Sequence, residues 1–335
     1  MSIVNIRWLS NVAPGPNWQT TVPRPLLNLN LGALPMVFCL NSIHFRALLQ
    51  PEIDSNAFST LQIFLCVSNF AYSLTSWLPV VFHYLRPSEE YCYRSYTYSE
   101  ITVQMVTGCI KDISMLFSSW IIVLIGIHTV LGTFWNFWKN QRVAFWNGFI
   151  LLLASSFGGI TLWSKHRIYS VPTDFQCEME LKSKWAFDLN ETRYGAAIPK
   201  TQEGVYNFLL SISKEAKLYP VYGYILVVAM LIIMIIVSLV AKRNVKISPI
   251  TVSILQSILF FLVKIPEAMA FNHDNARNGD WALRITVVWI FNILLQPFVF
   301  LLASSRYRRV IIQRFLGYRK HTVSAKEPQA APAGN

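Results

Sequence analysis

Asn292-Ile-Leu-Leu-Gln-Pro297-Phe-Val-Phe300-Leu-Leu-Ala-Ser-Ser-Arg306-Tyr-Arg308 is an apolar run, bent by one proline, that gives way abruptly to a basic stretch. Such a run belongs in lipid, and the arginines behind it belong at the water boundary. It is the last of seven similar stretches, at roughly 27 to 49, 58 to 82, 101 to 135, 143 to 163, 218 to 241, 248 to 271 and 281 to 303. A hydrocarbon layer of about 30 Å takes roughly 20 helical residues, so each stretch can cross it. The third is longer than one crossing requires, which implies tilt or turns standing above the membrane. The runs are continuous rather than alternating, which argues against a β-barrel. The expected fold class is an all-α membrane protein, a seven-transmembrane helix bundle with a short amphipathic helix after the seventh span.

Composition agrees. Of 335 residues, 53% are hydrophobic and 14% charged, where a soluble domain carries about a quarter charged. The charge is also one-sided. With the amino terminus outside, the cytoplasmic segments hold thirteen Lys and Arg against three Asp and Glu, whereas the outer segments nearly cancel, fourteen against twelve. The positive-inside rule then sets the amino terminus extracellular and the carboxyl terminus cytoplasmic, in a plasma-membrane protein. The formal charge of +12 reflects topology and attraction to anionic membrane lipids rather than nucleic-acid binding.

The chain divides into an extracellular amino-terminal segment (1–26), one seven-transmembrane domain (27–303), an amphipathic cytoplasmic helix (304–318) and a tail (319–335) whose composition reads as disordered. No basic and apolar leader precedes the first span, which is expected to direct insertion itself. Asn190-Glu191-Thr192, in the long segment from Ser164 to Lys217 between spans four and five, is a glycosylation acceptor triplet, and that segment is the one loop large enough to form a lid. Cys92 and Cys177 both fall in outer loops, where an oxidising compartment would pair them; Cys39, Cys66 and Cys109 lie in apolar runs.

Several of these residues carry a resemblance. Gln296-Pro297-Phe-Val-Phe300 resembles the Asn-Pro-x-x-Tyr motif of rhodopsin-like G-protein-coupled receptors, and a short amphipathic helix follows as in that family. More narrowly, the chain resembles the nematode serpentine receptors of class w, related to FMRFamide-type and myosuppressin-type peptide receptors. Asn41-Ser-Ile-His44-Phe-Arg-Ala-Leu48 resembles that class's first-span pattern, Trp120, Gly126 and Thr129 its third-span pattern, and Ser304-Ser-Arg-Tyr-Arg308 its Ser-Ser-x-Tyr-Arg. Pro220 and Pro266 fit spans five and six. The resemblance implies an extracellular peptide or small-molecule ligand, a heterotrimeric G protein as partner, and conformational roles for Asn69, Thr129, Pro266, Asn292, Gln296, Pro297 and Phe300.

The chain also departs from the pattern. His128-Thr129-Val130 stands where such receptors carry Asp/Glu-Arg-Tyr, so the arginine that meets the G protein is missing and weaker coupling is expected. Asn69 stands for the second-span aspartate and Gln296 for the seventh-span asparagine, which weakens an inward sodium site, since a cation needs a formal negative charge among its oxygens.

The charges inside the spans are the chemical clue. An ionised side chain at a helix centre costs about 2.5 to 3.5 kcal/mol, so such groups face the interior and pair. Lys111 and Asp112 lie in span three; Lys264 and Glu267 share a face of span six beside Pro266. One reading makes these four a ligand site, with Asp112 or Glu267 receiving a cation such as the Arg of an Arg-Phe-amide peptide. The plain alternative is that each carboxylate balances a lysine. The scattered histidines offer no metal spacing, and no phosphate loop or nucleophile elbow is present, so neither a metal, a cofactor nor an enzyme is expected. The expected function is a receptor for an FMRFamide-like neuropeptide; an odorant is the second choice, and a transporter, lacking an inverted repeat, the third.

Overall fold

The computed structural model describes residues 24–53, 56–85, 98–171, 193–240, 247–272 and 279–314. Cys92, Cys177 and Asn190 lie outside the described residues, as do 1–23 and 315–335, and so do the side chains of Pro266 and Glu267. In lipid the backbone must satisfy its own polar groups, and an apolar chain does so by forming helices. The helices are α1 (Arg24–Leu48), α2 (Ala57–Leu85), α3 (Tyr98–Phe134), α4 (Gln141–Trp163), α5 (Glu203–Leu218), α6 (Pro220–Val240), α7 (Ile247–Asn272), α8 (Gly279–Ala303) and α9 (Ser305–Arg314). Between α4 and α5 lies an antiparallel hairpin of β1 (Arg167–Val171) and β2 (Arg193–Ala197), with Tyr169 opposite Gly195.

Among the described residues, five stretches are long and apolar enough to cross a membrane: Ala57–Leu78, Tyr98–Phe134, Gln141–Trp163, Glu203–Ile236 and Thr286–Ala303. Pro249–Ile265 in α7 is apolar but shorter. α1 carries Asn28, Asn30, Asn41, His44 and Arg46, which dilute its hydropathy. The 37 residues of α3 make a helix of about 55 Å, well beyond the hydrocarbon thickness, as its length in the sequence suggested. Large apolar side chains coat the outside, with Phe157, Tyr222 and Leu302 each at least 70% exposed. In water such a surface would drive association; in a bilayer it is the lipid contact.

The segment from Ser164 to Lys217 is not the loop that hydropathy suggested. It holds the hairpin and then α5, which runs into α6 as one helical course: the Tyr219 N–H donates to the Glu215 carbonyl at 2.9 Å, and Tyr219 itself is helical. α5 is amphipathic and rich in helix formers, so it passes unnoticed in a search for continuous apolar runs. Pro220 starts α6 and has no N–H to give the carbonyl four residues back, that of Ala216. The indole N–H of Trp120 on α3 donates to that carbonyl instead, at 3.1 Å.

α3 is the axis of the bundle, and its buried face includes Ile121, Ile122 and Ile125. It meets α6 through reciprocal small positions. A Cβ at Gly126 would collide with Val227, and one at Gly223 would lie 2.8 Å from Val123. Each helix thus seats its valine in the gap left by the other's glycine. Close approach through small residues is how spans associate where lipid gives no hydrophobic drive.

At the far end from the hairpin, α9 lies across the bundle with Tyr307 and Val310 buried and its arginines exposed. The Ser304 side chain accepts from the Tyr307 N–H, and Arg308 donates to the carbonyls of Leu301 and Leu302, both at 2.8 Å. Those carbonyls sit in the last turn of α8, where helix donors run out and a cation is favoured. The Tyr307 hydroxyl shares a 2.7 Å hydrogen bond with Nδ1 of the buried His44 on α1. Two motif residues far apart in the chain therefore clamp α9 to the first span. Arg314 also reaches Glu52 at 3.0 Å, but both are exposed and such a pair contributes little.

Candidate functional site

Lys111 and Asp112 are neighbours on α3, and helical geometry turns consecutive side chains about 100° apart. They serve different sectors. Asp112 faces α4 and α5: its Oδ1 pairs with Lys217 Nζ at 2.8 Å, and its Oδ2 accepts from the Trp163 indole N–H at 2.9 Å. Lys111 faces α2 and α8, donating to the Thr286 hydroxyl at 3.0 Å and lying 5.5 Å above the Tyr72 ring. Lys264, on α7 and 1% exposed, lies 5.4 Å above the Trp289 ring. Tyr72 and Trp289 contact each other at 5.5 Å, and Phe260 meets Trp289 edge-on at 5.5 Å.

For Asp112 the main balancing partner is not the neighbouring lysine. Asp112 is neutralised by Lys217, a residue at the end of α5 that hydropathy had left in a loop, rather than by Lys111 alone. A lysine flanking an apolar run can reach along it, and that was the available signal. Trp163 gave no signal beyond closing the fourth span. Of the aromatic residues beside this cluster, Phe260 and Trp289 are buried within the bundle, and Trp120 is engaged by Ala216.

Just beyond Trp163, outside the spanning helices, His166 stacks on the Trp163 ring at 4.9 Å and meets Tyr206 edge-on. Burial holds the imidazole below its ordinary pKa, against the upward pull of its hydrogen bond to the Trp163 carbonyl and of Asp112.

A second polar assembly lies toward the α9 end. Gln256 on α7 and Gln62 on α2 exchange hydrogen bonds at 2.7 and 3.0 Å, and Gln256 donates to Gln296 on α8 at 2.6 Å. Gln296 in turn reaches Asn292 at 3.4 Å. Three helices are joined by carboxamides buried to within 2% exposure. Sequence reasoning singled out Gln296 and Asn292 and missed Gln62 and Gln256, each a single glutamine in a largely apolar stretch. Asn69 is buried too, with its side-chain oxygen unpartnered and its carbonyl accepting from Ser73. The Thr129 hydroxyl meets that of Ser253 on α7 at 3.0 Å, tying α3 to α7 where an arginine was expected. His128 bonds through Nδ1 to the Trp138 carbonyl and through Nε2 to Asn147, fastening α3 to the turn at Asn136–Lys139 and to α4. Phe300 packs between His44 and Tyr307. Pro297 sits within α8. Among the described residues, no group of three or more His, Cys, Asp or Glu is placed to hold a metal, and Cys39, Cys66 and Cys109 are free.

A bundle of apolar spans, with a charged cluster toward one end and a carboxamide network toward the other, defines a seven-transmembrane helix bundle. Residues 29–317, most of the chain, match the family "Serpentine type 7TM GPCR chemoreceptor Srw", and the chain belongs to that family. No curated protein sequence matches it significantly. It is therefore a multi-pass membrane receptor and not an enzyme, of a kind that in general answers an extracellular ligand and couples to a G protein.

Proposed function

We propose that this receptor resides in the plasma membrane with its hairpin end and amino terminus extracellular, and that it answers an FMRFamide-like neuropeptide whose cationic group competes with Lys217 for Asp112. The observation that carries the reading is the ion pair joining α3 to α5. A guanidinium can engage both carboxylate oxygens at once, whereas an ammonium is a point charge, so an arginine-bearing ligand can displace Lys217. The 16 residues of α5 make about 24 Å of helix, and with the hairpin they offer contact surface suited to a ligand several residues long. A small odorant is the second reading, favoured by the chemoreceptor description of the family.

Signalling then follows by population shift: binding that favours a released α5 biases the bundle toward the state that receives a G protein. Thr129, Asn69, Asn292, Gln296 and Phe300, with bends at Pro266 and Pro297, are the residues rearranged. A disulfide from Cys92 to Cys177 would hold the hairpin segment near the top of α3, and Asn190 would carry glycan. The test is a peptide and odorant screen followed by agonist titration on Asp112→Asn at matched surface level. A cationic agonist is expected to lose roughly ten- to hundredfold in affinity, the worth of a charge-assisted hydrogen bond, and a neutral analogue much less. Equal loss for both analogues would remove Asp112 as the ligand's partner.

A further inference from the structure

The helical course through α5 and α6 runs from Glu203 to Ile236, 34 residues and about 51 Å. That is more than a bilayer needs. Residues 219–240 are enough to cross about 30 Å of hydrocarbon. Lys214 and Glu215 are both exposed, which places α5 in the water beyond the lipid, and the exposed Tyr219 and Tyr222 stand at the boundary where such rings gather. Yet α5 turns apolar side chains to that water: Val205, Phe208 and Ile212 are 48 to 66% exposed. Their spacing, three residues and then four, resumes past the charged pair at Tyr219, Tyr222 and Leu226, and runs on to Ile233 and Ile236. Two apolar seats in every seven residues form the seam along which two helices pack side by side. This seam faces away from the bundle. Phe208 and Lys217 are nine residues apart, half a turn around the helix, and Lys217 is the residue that Asp112 holds against α3.

Whatever covers the whole seam must pass from water into lipid alongside it. A soluble peptide reaches only the part above Tyr219, and a ligand seated at Asp112 lies on the opposite face of α5. We propose that the seam pairs with the same seam of a second copy of this chain. A copy in the same membrane shares its orientation, so the two seams run parallel, meet water and lipid at the same heights and face each other seat for seat about a two-fold axis. The area suffices. At about 200 Å² for a full aromatic side chain, Phe208, Tyr219 and Tyr222, exposed to 66, 53 and 70%, offer roughly 400 Å². The aliphatic seats bring this to on the order of 700 Å² a side, close to the roughly 800 Å² of a standard interface. Glu215 takes a seat that the repeat reserves for an apolar residue; one polar seat in such a seam sets register and strand number at some cost in stability.

The experiment reconstitutes full-length receptor, without ligand, at low density in lipid vesicles and counts copies per assembly by stepwise photobleaching. Pairs are expected. Phe208→Arg puts a charge on a surface that is open to water in the single copy, and is expected to raise the receptor density at which pairs form by roughly tenfold or more. Cysteine crosslinking reads the face: under mild oxidation Phe208→Cys and Ile212→Cys are expected to give a covalent pair well above the parent's background. Asn207→Cys, exposed but about 100° around the helix from Phe208, is expected to stay at that background. Single copies at every density, pairing unaltered by Phe208→Arg, or crosslinking at residue 207 equal to that at 208 would each overturn the proposal. If the receptor is single and Phe208→Arg instead weakens an agonist, the apolar stripe of α5 belongs to the ligand and the pairing falls. None of these outcomes touches the ligand's cation site, which is read on Asp112→Asn alone.

Discussion

Replacing Trp120 by Phe tests whether one indole N–H repairs the break that Pro220 makes in the fifth span. The Ala216 carbonyl would ordinarily accept from the N–H four residues on, and proline has none. Trp120 supplies the donor at 3.1 Å. Removing it leaves a carbonyl orphaned within the bundle, at a cost of about 1 to 3 kcal/mol, together with a packing loss from the smaller ring. The packing loss can be separated. In a Pro220→Ala background residue 220 has an N–H again, and the carbonyl no longer depends on α3. Thermal unfolding of the four proteins in nanodiscs gives a double-mutant cycle in which packing cancels and the hydrogen bond remains. Trp120→Phe is expected to destabilise the parent clearly and the Pro220→Ala protein by at least about 1 kcal/mol less. Equal destabilisation in both backgrounds would refute the pairing of the indole with the proline's missing donor.

Gln256→Leu severs the hydrogen bonds to Gln62 and Gln296; at about 0.6 to 1.7 kcal/mol per interhelical bond, ligand-free signalling should rise several-fold at matched surface level, and unchanged basal signalling would count against a restraining role. Thr129→Arg supplies the family arginine and also breaks the contact with Ser253, so agonist-evoked signalling should rise above that of Thr129→Val, which only breaks the contact. Equal signalling from the two would show that the arginine itself adds nothing. His166 is held below its ordinary pKa by burial, so the folded state binds fewer protons there than the unfolded state does. Its stabilising contribution is present above about pH 6.5 and is lost as pH falls below that value. The thermal midpoint of His166→Phe should therefore fall less steeply from pH 7.5 to 5.5 than the parent's, and parallel curves would exclude His166 as the source.

The crossing helices were legible because hydropathy reports directly on the solvent a segment faces, and α3 announced its extra length the same way. The α9 contact was half legible: His44 and Tyr307 stood out as motif residues, but only the fold brings them to 2.7 Å. What hydropathy could not reveal was α5, whose amphipathic sequence looks like loop when only continuous apolar runs are sought. With α5 unseen, Lys217 could not be recognised as the partner of Asp112. Gln62 and Gln256 were hidden for a different reason. A single glutamine in an apolar run shows that a polar partner is needed but not where, and theirs lie on other helices, 194 residues apart from each other in the chain.

The reciprocal seats of Val227 at Gly126 and Val123 at Gly223 act like meshed teeth on a rack. A fraction of a turn of axial travel between the third and fifth spans would drive a methyl group into backbone with no gap to receive it, and the next register lies about 5.4 Å away. Small slides are therefore forbidden while a pivot about the meshed point is not. Whatever loosens α5 above the teeth is converted into an opposite swing of α6 below them, so the span behaves as a lever whose fulcrum is two glycines.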